Sequence, residues 1–116
     1  VHADVDVGLM SRLVQNLVEN ACKYTPEGRS VTVTLTSEDG RLALSVSDTG
    51  IGIAKRDLPH IWERFWQADS SRGVDKGSGL GLSMVKQIAD AHGGKLEVES
   101  EPGAGSTFTF RMDCRN

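Results

Sequence analysis

No apolar run in the 116-residue sequence approaches the roughly 20 residues that cross a bilayer. The opening Val1-His2-Ala3-Asp4 lacks the charged and then apolar pattern of a signal peptide. Cysteine is scarce: Cys22 and Cys114 are the only two, too few for a disulfide framework and not at metal or redox spacing. They read as free thiols in a reducing compartment. Charge of one sign is also lacking. The net charge is only -3, with no basic run and no aromatic-basic interleaving, so a nucleic-acid surface is excluded. No repeat and no linker divides the chain. What remains is 38% hydrophobic and 25% charged, a composition that folds around one core and reads as one domain over residues 1–116.

The chain is organised around Asn16 to Thr25. Leu9, Met10, Leu13, Val14, Leu17, Val18 and Ala21 recur at the three-four spacing of a buried helix face, which predicts a helix from Asp6 to Lys23. Thr25-Pro26-Glu27-Gly28 stops it. Asn16, Asn20 and Lys23 share a second face, with Asn20 at the margin of the apolar stripe. An amide beside a core needs a hydrogen-bond partner, so this face reads as a pocket wall.

Beyond the helix, Ser30 to Ser37 and Arg41 to Ser47 alternate apolar and polar around Glu38-Asp39-Gly40, predicting an antiparallel hairpin with a half-buried first strand. A short helix is predicted over Lys55 to Arg64, with Pro59 marking a break. Gln67 to Ser78 is polar and irregular, the character of a lid. Gly79 to Ala91 reads as a helix ended by Gly93-Gly94. Strands Lys95 to Ser100 and Ser106 to Met112 close the chain. This order gives an α+β two-layer sandwich with the helices on one face of the sheet.

Two glycine clusters carry the chemistry. Asp48-Thr49-Gly50-Ile51-Gly52 puts a carboxylate at a strand end beside a backbone that a ligand can approach. Gly77-Ser78-Gly79-Leu80-Gly81-Leu82 opens a helix, where unpaired N–H groups favour phosphate. Neither cluster fits a Walker A loop or a dinucleotide fingerprint.

Asn16 to Thr25, Asp48 to Ile53, Ile61 to Trp66 and Gly77 to Leu82 resemble, in order, the N box, first glycine box, phenylalanine box and second glycine box of sensor histidine kinases. Gly103-Ala104-Gly105-Ser106-Thr107-Phe108 resembles that family's closing segment. The resemblance covers essentially the whole chain. It implies the catalytic ATP-binding domain, with the Bergerat fold and a mixed sheet.

By that resemblance, Asp48 accepts a hydrogen bond from the adenine amino group, an unpaired acceptor for that donor. Gly50, Gly52, Ile53 and Thr107 complete the nucleoside site, with Tyr24 packed nearby. Asn20 holds Mg²⁺ through its amide oxygen, and Asn16 sits beside the metal and the terminal phosphates. Lys23 neutralises phosphate charge, and Arg64 reaches the γ-phosphate. Gly77, Gly79, Leu80, Gly81 and Leu82 wrap the phosphates beneath the lid.

Related ATPases of this fold carry a Glu one helical turn before the metal-binding Asn. Here Asn16 stands there, and an amide cannot take a proton from water, so efficient hydrolysis is not expected. Gln67 replaces an Arg that many kinase domains carry after the aromatic pair, which leaves more of the phosphate contact to Arg64. None of His2, His60 and His92 has the context of a phosphoacceptor. The resemblance therefore implies an upstream dimerisation and phosphoacceptor domain, a response-regulator partner, and a first edge strand beyond this sequence. It further implies a homodimeric full-length protein, a monomeric isolated domain, and a cytoplasmic place in a membrane-anchored sensor.

Overall fold

A computed structural model of the chain describes residues 5–23, 25, 30–63 and 81–113. Helix α1 (Val7–Lys23) is followed by strands β1 (Val31–Glu38) and β2 (Arg41–Asp48). A 3-10 turn at Leu58–His60 leads towards helix α2 (Gly81–Ala91), and strands β3 (Lys95–Glu101) and β4 (Gly105–Asp113) complete the order. The sheet runs β1-β2-β4-β3, and every pairing among the described residues is antiparallel, where a mixed sheet was expected. The cause is local. Each hairpin returns directly on itself, and the crossover through α2 brings β3 in beside β4 alone.

Each boundary has a chemical cause. Asp6 caps α1, its Oδ1 accepting the Leu9 N–H at 3.0 Å. Asp39 (φ 53°) and Gly40 (φ 75°) make the two-residue turn with both central residues left-handed that hairpins favour. α2 ends in a Schellman motif: Gly94 N–H donates to Ala89 O at 2.9 Å and Gly93 N–H to Asp90 O at 3.1 Å. The helix expected over Lys55 to Arg64 shrinks to the 3-10 turn, because Pro59 lacks the N–H that a longer ladder needs.

The core lies between the helices and one face of the sheet. Leu13, Leu17 and Ala21 of α1 and Val85, Ile88 and Ala89 of α2 meet Leu44, Val46, Phe108 and Phe110 from the central strands. Trp62 stands edge-on to Phe108, with ring centroids 5.8 Å apart. The opposite face is polar. There Ser45 and Ser47 pair with Thr109 and Thr107 across β2 and β4, at 3.1 and 2.9 Å.

β1 departs from the half-buried strand that its alternation predicts. Val33 and Leu35 lie opposite Val46 and Leu44, on the core-facing side, yet they are 50% and 64% exposed. The two helices lie over the sheet's centre and leave this edge open. The outer flank of α1, with Val7, Met10, Val14 and Val18, forms an apolar groove.

Candidate functional site

Asp48 is the last residue of β2, and on strand alternation it shares the core-facing side with Val46. Its carboxylate is 7% exposed, an expensive place for a charge unless hydrogen bonds hold it. One oxygen is so held: Oδ1 accepts Gly50 N–H at 2.9 Å and Ser106 N–H at 3.3 Å. The second oxygen carries no hydrogen bond to another described residue. The group is therefore anchored at one end and offers an acceptor at the other.

The loop after Asp48 interlocks with the β3–β4 turn. A Cβ at Gly52 (φ +72°) would come within 2.1 Å of Glu101 O, and one at Gly105 (φ +116°) within 2.0 Å of Asp48 O. Only glycine allows such backbone approach in these left-handed conformations. Gly103 N–H donates to Ile51 O at 2.8 Å, and Ile53 N–H to Ser100 Oγ at 2.6 Å. The loop is thus pinned along its length by residues some fifty positions later in the chain.

α1 supplies the second wall. Asp6 N–H donates to His92 Nε2 at 3.0 Å, and Arg12 Nη1 lies 3.9 Å from Met84 Sδ. These contacts set the two helices antiparallel, with the flank of α1 that bears Arg12 turned to α2. Asn16 and Asn20 follow Arg12 by one and two turns on that flank. Continuing the same run at 1.5 Å per residue sets Gly81 and Leu82 level with the turn that carries Asn16. Both amides are half-buried and carry no hydrogen bond to another described residue. Lys23, also half-buried, has a partner. Gly81 is exposed, and a Cβ there would meet nothing within 4 Å.

Thr107 stands on the polar face of the sheet, bonded to Ser47 and turned away from Asp48. The side chain that shares the Asp48 face is Ser106, which is 7% exposed. The strand's own alternation carried that signal, since Phe108 and Phe110 are core residues and position 106 shares their face. Ser100, half-buried beside the glycine loop, was also missed. Tyr24, Arg64, Gly77, Gly79, Leu80 and the lid segment Gln67 to Ser78 lie outside the described residues.

A two-layer α+β domain with these two walls falls in a known class. The family model for histidine kinase-, DNA gyrase B- and HSP90-like ATPases matches residues 5–116, and the architecture is consistent with their Bergerat-type fold. The chain is 42% identical over 112 residues to the histidine protein kinase DivJ of Caulobacter vibrioides, covering 97% of this chain and 19% of DivJ. Among solved structures, the mycobacterial sensor histidine kinase MprB superposes with a TM-score of 0.85 at 32% identity, covering 97% of this chain and 75% of that one. Full-length ShkA in complex with AMPPNP superposes with a TM-score of 0.79 at 34% identity, covering 93% of this chain and 22% of that one. The chain belongs to the sensor histidine kinase family, as its ATPase-type domain. It spans only 19% to 28% of such curated relatives. No helix among the described residues is long and apolar enough to cross a membrane.

Proposed function

We propose that this domain binds Mg-ATP and transfers the γ-phosphoryl group to a histidine on a separate dimerisation domain, for onward passage to a response regulator. The observation that carries the reading is the Asp48 carboxylate, buried, fixed through Oδ1 and open at its other oxygen. Adenine presents an amino donor to such an acceptor, whereas guanine presents a carbonyl oxygen at the same place and is repelled.

Asn16 and Asn20 fit a magnesium site by their donor chemistry: neutral, hard amide oxygens, half-buried and without a described partner, able to share the ion with phosphates and water. When bound, the ion neutralises charge on the β- and γ-phosphates. The residues of this chain do the rest. Asp48 fixes the base, the open first turn of α2 offers N–H groups to phosphate oxygens, and Lys23 adds positive charge near the end of α1. Arg64 is assigned to the γ-phosphate by resemblance. In the transfer, the imidazole nitrogen of the acceptor forms a bond to the γ-phosphorus as the bond to the bridging oxygen breaks and ADP leaves. Asn16, standing where a carboxylate would activate water, cannot act as a general base, which favours transfer over hydrolysis.

The place of β1 at the outer edge of the described sheet supports a further edge strand beside it from chain outside residues 1–116. A homodimeric, membrane-anchored sensor with this domain in the cytoplasm, monomeric when isolated, completes the proposal.

The test is calorimetry with Mg-AMPPNP, followed by transfer from γ-labelled ATP to a dimerisation domain supplied in trans. Nucleotide binding and label on the added domain are expected. Absence of nucleotide binding overturns the reading.

A further inference from the structure

The geometry points to Ser100 as a positioning residue for base recognition, one that holds the Asp48 carboxylate and the glycine loop in register without touching the nucleotide. The inference rests on the nucleotide-site reading above and deepens it.

Ser100 is the penultimate residue of β3, an edge strand that supplies none of the residues assigned to the site by resemblance. Its Oγ nevertheless has three hydrogen-bond partners around the site. It accepts Ile53 N–H at 2.6 Å, donates to Gly105 O at 3.1 Å, and lies 2.8 Å from Ser106 Oγ. A serine hydroxyl has one proton and two lone pairs. With the proton given to Gly105 O, the Ile53 amide and the Ser106 hydroxyl take the two lone pairs, and the group is saturated.

The three partners are the parts that make the site. Ile53 is the exit of the glycine loop and packs against the core. Gly105 is the residue whose backbone lies against Asp48 O. Ser106 donates its N–H to Asp48 Oδ1. One oxygen atom therefore ties the loop on one side of the carboxylate to the strand on the other. With that oxygen removed, the half-buried Ile53 N–H loses its acceptor and the Ser106 hydroxyl loses its partner. The direction of the Asp48 acceptor is then no longer set from both sides. Affinity for phosphate does not pass through this network, but discrimination at the base does.

Ser100→Val and Ser100→Thr are nearly isosteric and differ by the hydroxyl, so the pair cancels any effect of the added methyl. Affinities for ATP, GTP and inorganic tripolyphosphate are measured by calorimetry on the protein and both variants, alongside thermal midpoints. In Ser100→Val the ratio of ATP to GTP affinity falls by about tenfold relative to Ser100→Thr, and tripolyphosphate affinity is equal in the two. A merely structural role lowers the midpoint and leaves the ratio unchanged, and that result overturns the inference. If the unaltered protein binds ATP selectively and both variants keep its ratio, the site stands and only the role of Ser100 falls. If the unaltered protein binds no ATP, the nucleotide reading fails first and the inference with it.

Discussion

Asp6 and His92, 86 residues apart, are joined by a hydrogen bond from the Asp6 N–H to Nε2 at 3.0 Å. Nδ1 of the same ring stands 2.8 Å from Ile88 O, and a carbonyl can only accept. The proton is therefore on Nδ1, and Nε2 offers its lone pair to the first turn of α1. A ring at the end of one helix caps the start of the other, and the antiparallel pairing behind the candidate site depends on that joint.

His92→Ala removes both bonds and leaves the Asp6 N–H without its acceptor. A loss of about 1–3 kcal/mol in unfolding free energy is expected from urea titration. An unchanged midpoint would show that the joint adds nothing.

Asp48→Asn keeps the volume and replaces an anchored anion by an amide that brings a mismatched donor. Nucleotide affinity is expected to fall by about 1.5–3 kcal/mol, roughly ten- to 150-fold, while the fold is kept. Calorimetry with AMPPNP, with circular dichroism as the control for folding, reads the effect. Equal affinity in the variant removes Asp48 from the site.

Gly103 and Gly105 lie in the same turn with positive φ, yet they differ in surroundings. A Cβ at Gly103 meets nothing within 4 Å, whereas one at Gly105 falls 2.0 Å from Asp48 O. Gly103→Ala is expected to cost about 1–2 kcal/mol, the left-handed penalty alone. Gly105→Ala costs more and also weakens nucleotide binding, because the backbone carrying Asp48 must move. Paired denaturation curves decide it, and equal costs refute the interlock.

Asn20→Ala removes one amide from the flank of α1 that faces α2. If that oxygen holds the metal, the gain in nucleotide affinity on adding Mg²⁺ shrinks about tenfold or more, and affinity without Mg²⁺ is unchanged. Titrations with and without the ion separate the two. A uniform loss in both would place Asn20 on the nucleotide itself.

A further expectation concerns the fate of ATP. With an amide at Asn16 and none of His2, His60 and His92 in a phosphoacceptor context, the domain alone neither labels itself nor releases phosphate quickly. Incubation with γ-labelled ATP reads both at once. Fast phosphate release counts against transfer to a separate histidine.

Much of this was legible in the sequence, for reasons that differ by element. α1 matched its pattern almost to the residue because its apolar spacing was regular, and Asp39-Gly40 specified the hairpin's turn. Thr107 was picked by matching the closing segment as a string, which does not show that it stands on the polar face. Alternation counted back from Phe108 and Phe110 selects Ser106. The exposure of Val33 and Leu35 could not be read from their own strand, since alternation shows which residues share a face and not whether anything covers it. Ser100 was invisible for a related reason: its partners lie 5, 6 and 47 positions away, and only the folded sheet assembles them.

The strand order has a consequence for how the protein comes into being. Of the four described strands β4 comes after the others in the chain, yet it lies inside the sheet between β2 and β3. A nascent chain can close the β1–β2 hairpin early, but β3 has no neighbour, and Leu44 and Val46 have no Phe108 or Phe110 to pack against, until residues 105–113 leave the ribosome. Asp48 likewise waits for Ser106. A chain broken off before Gly105 carries nearly all the residues assigned to the nucleotide and still cannot build the pocket. Within this domain the Asp48 site is thus complete only once β4 has been made.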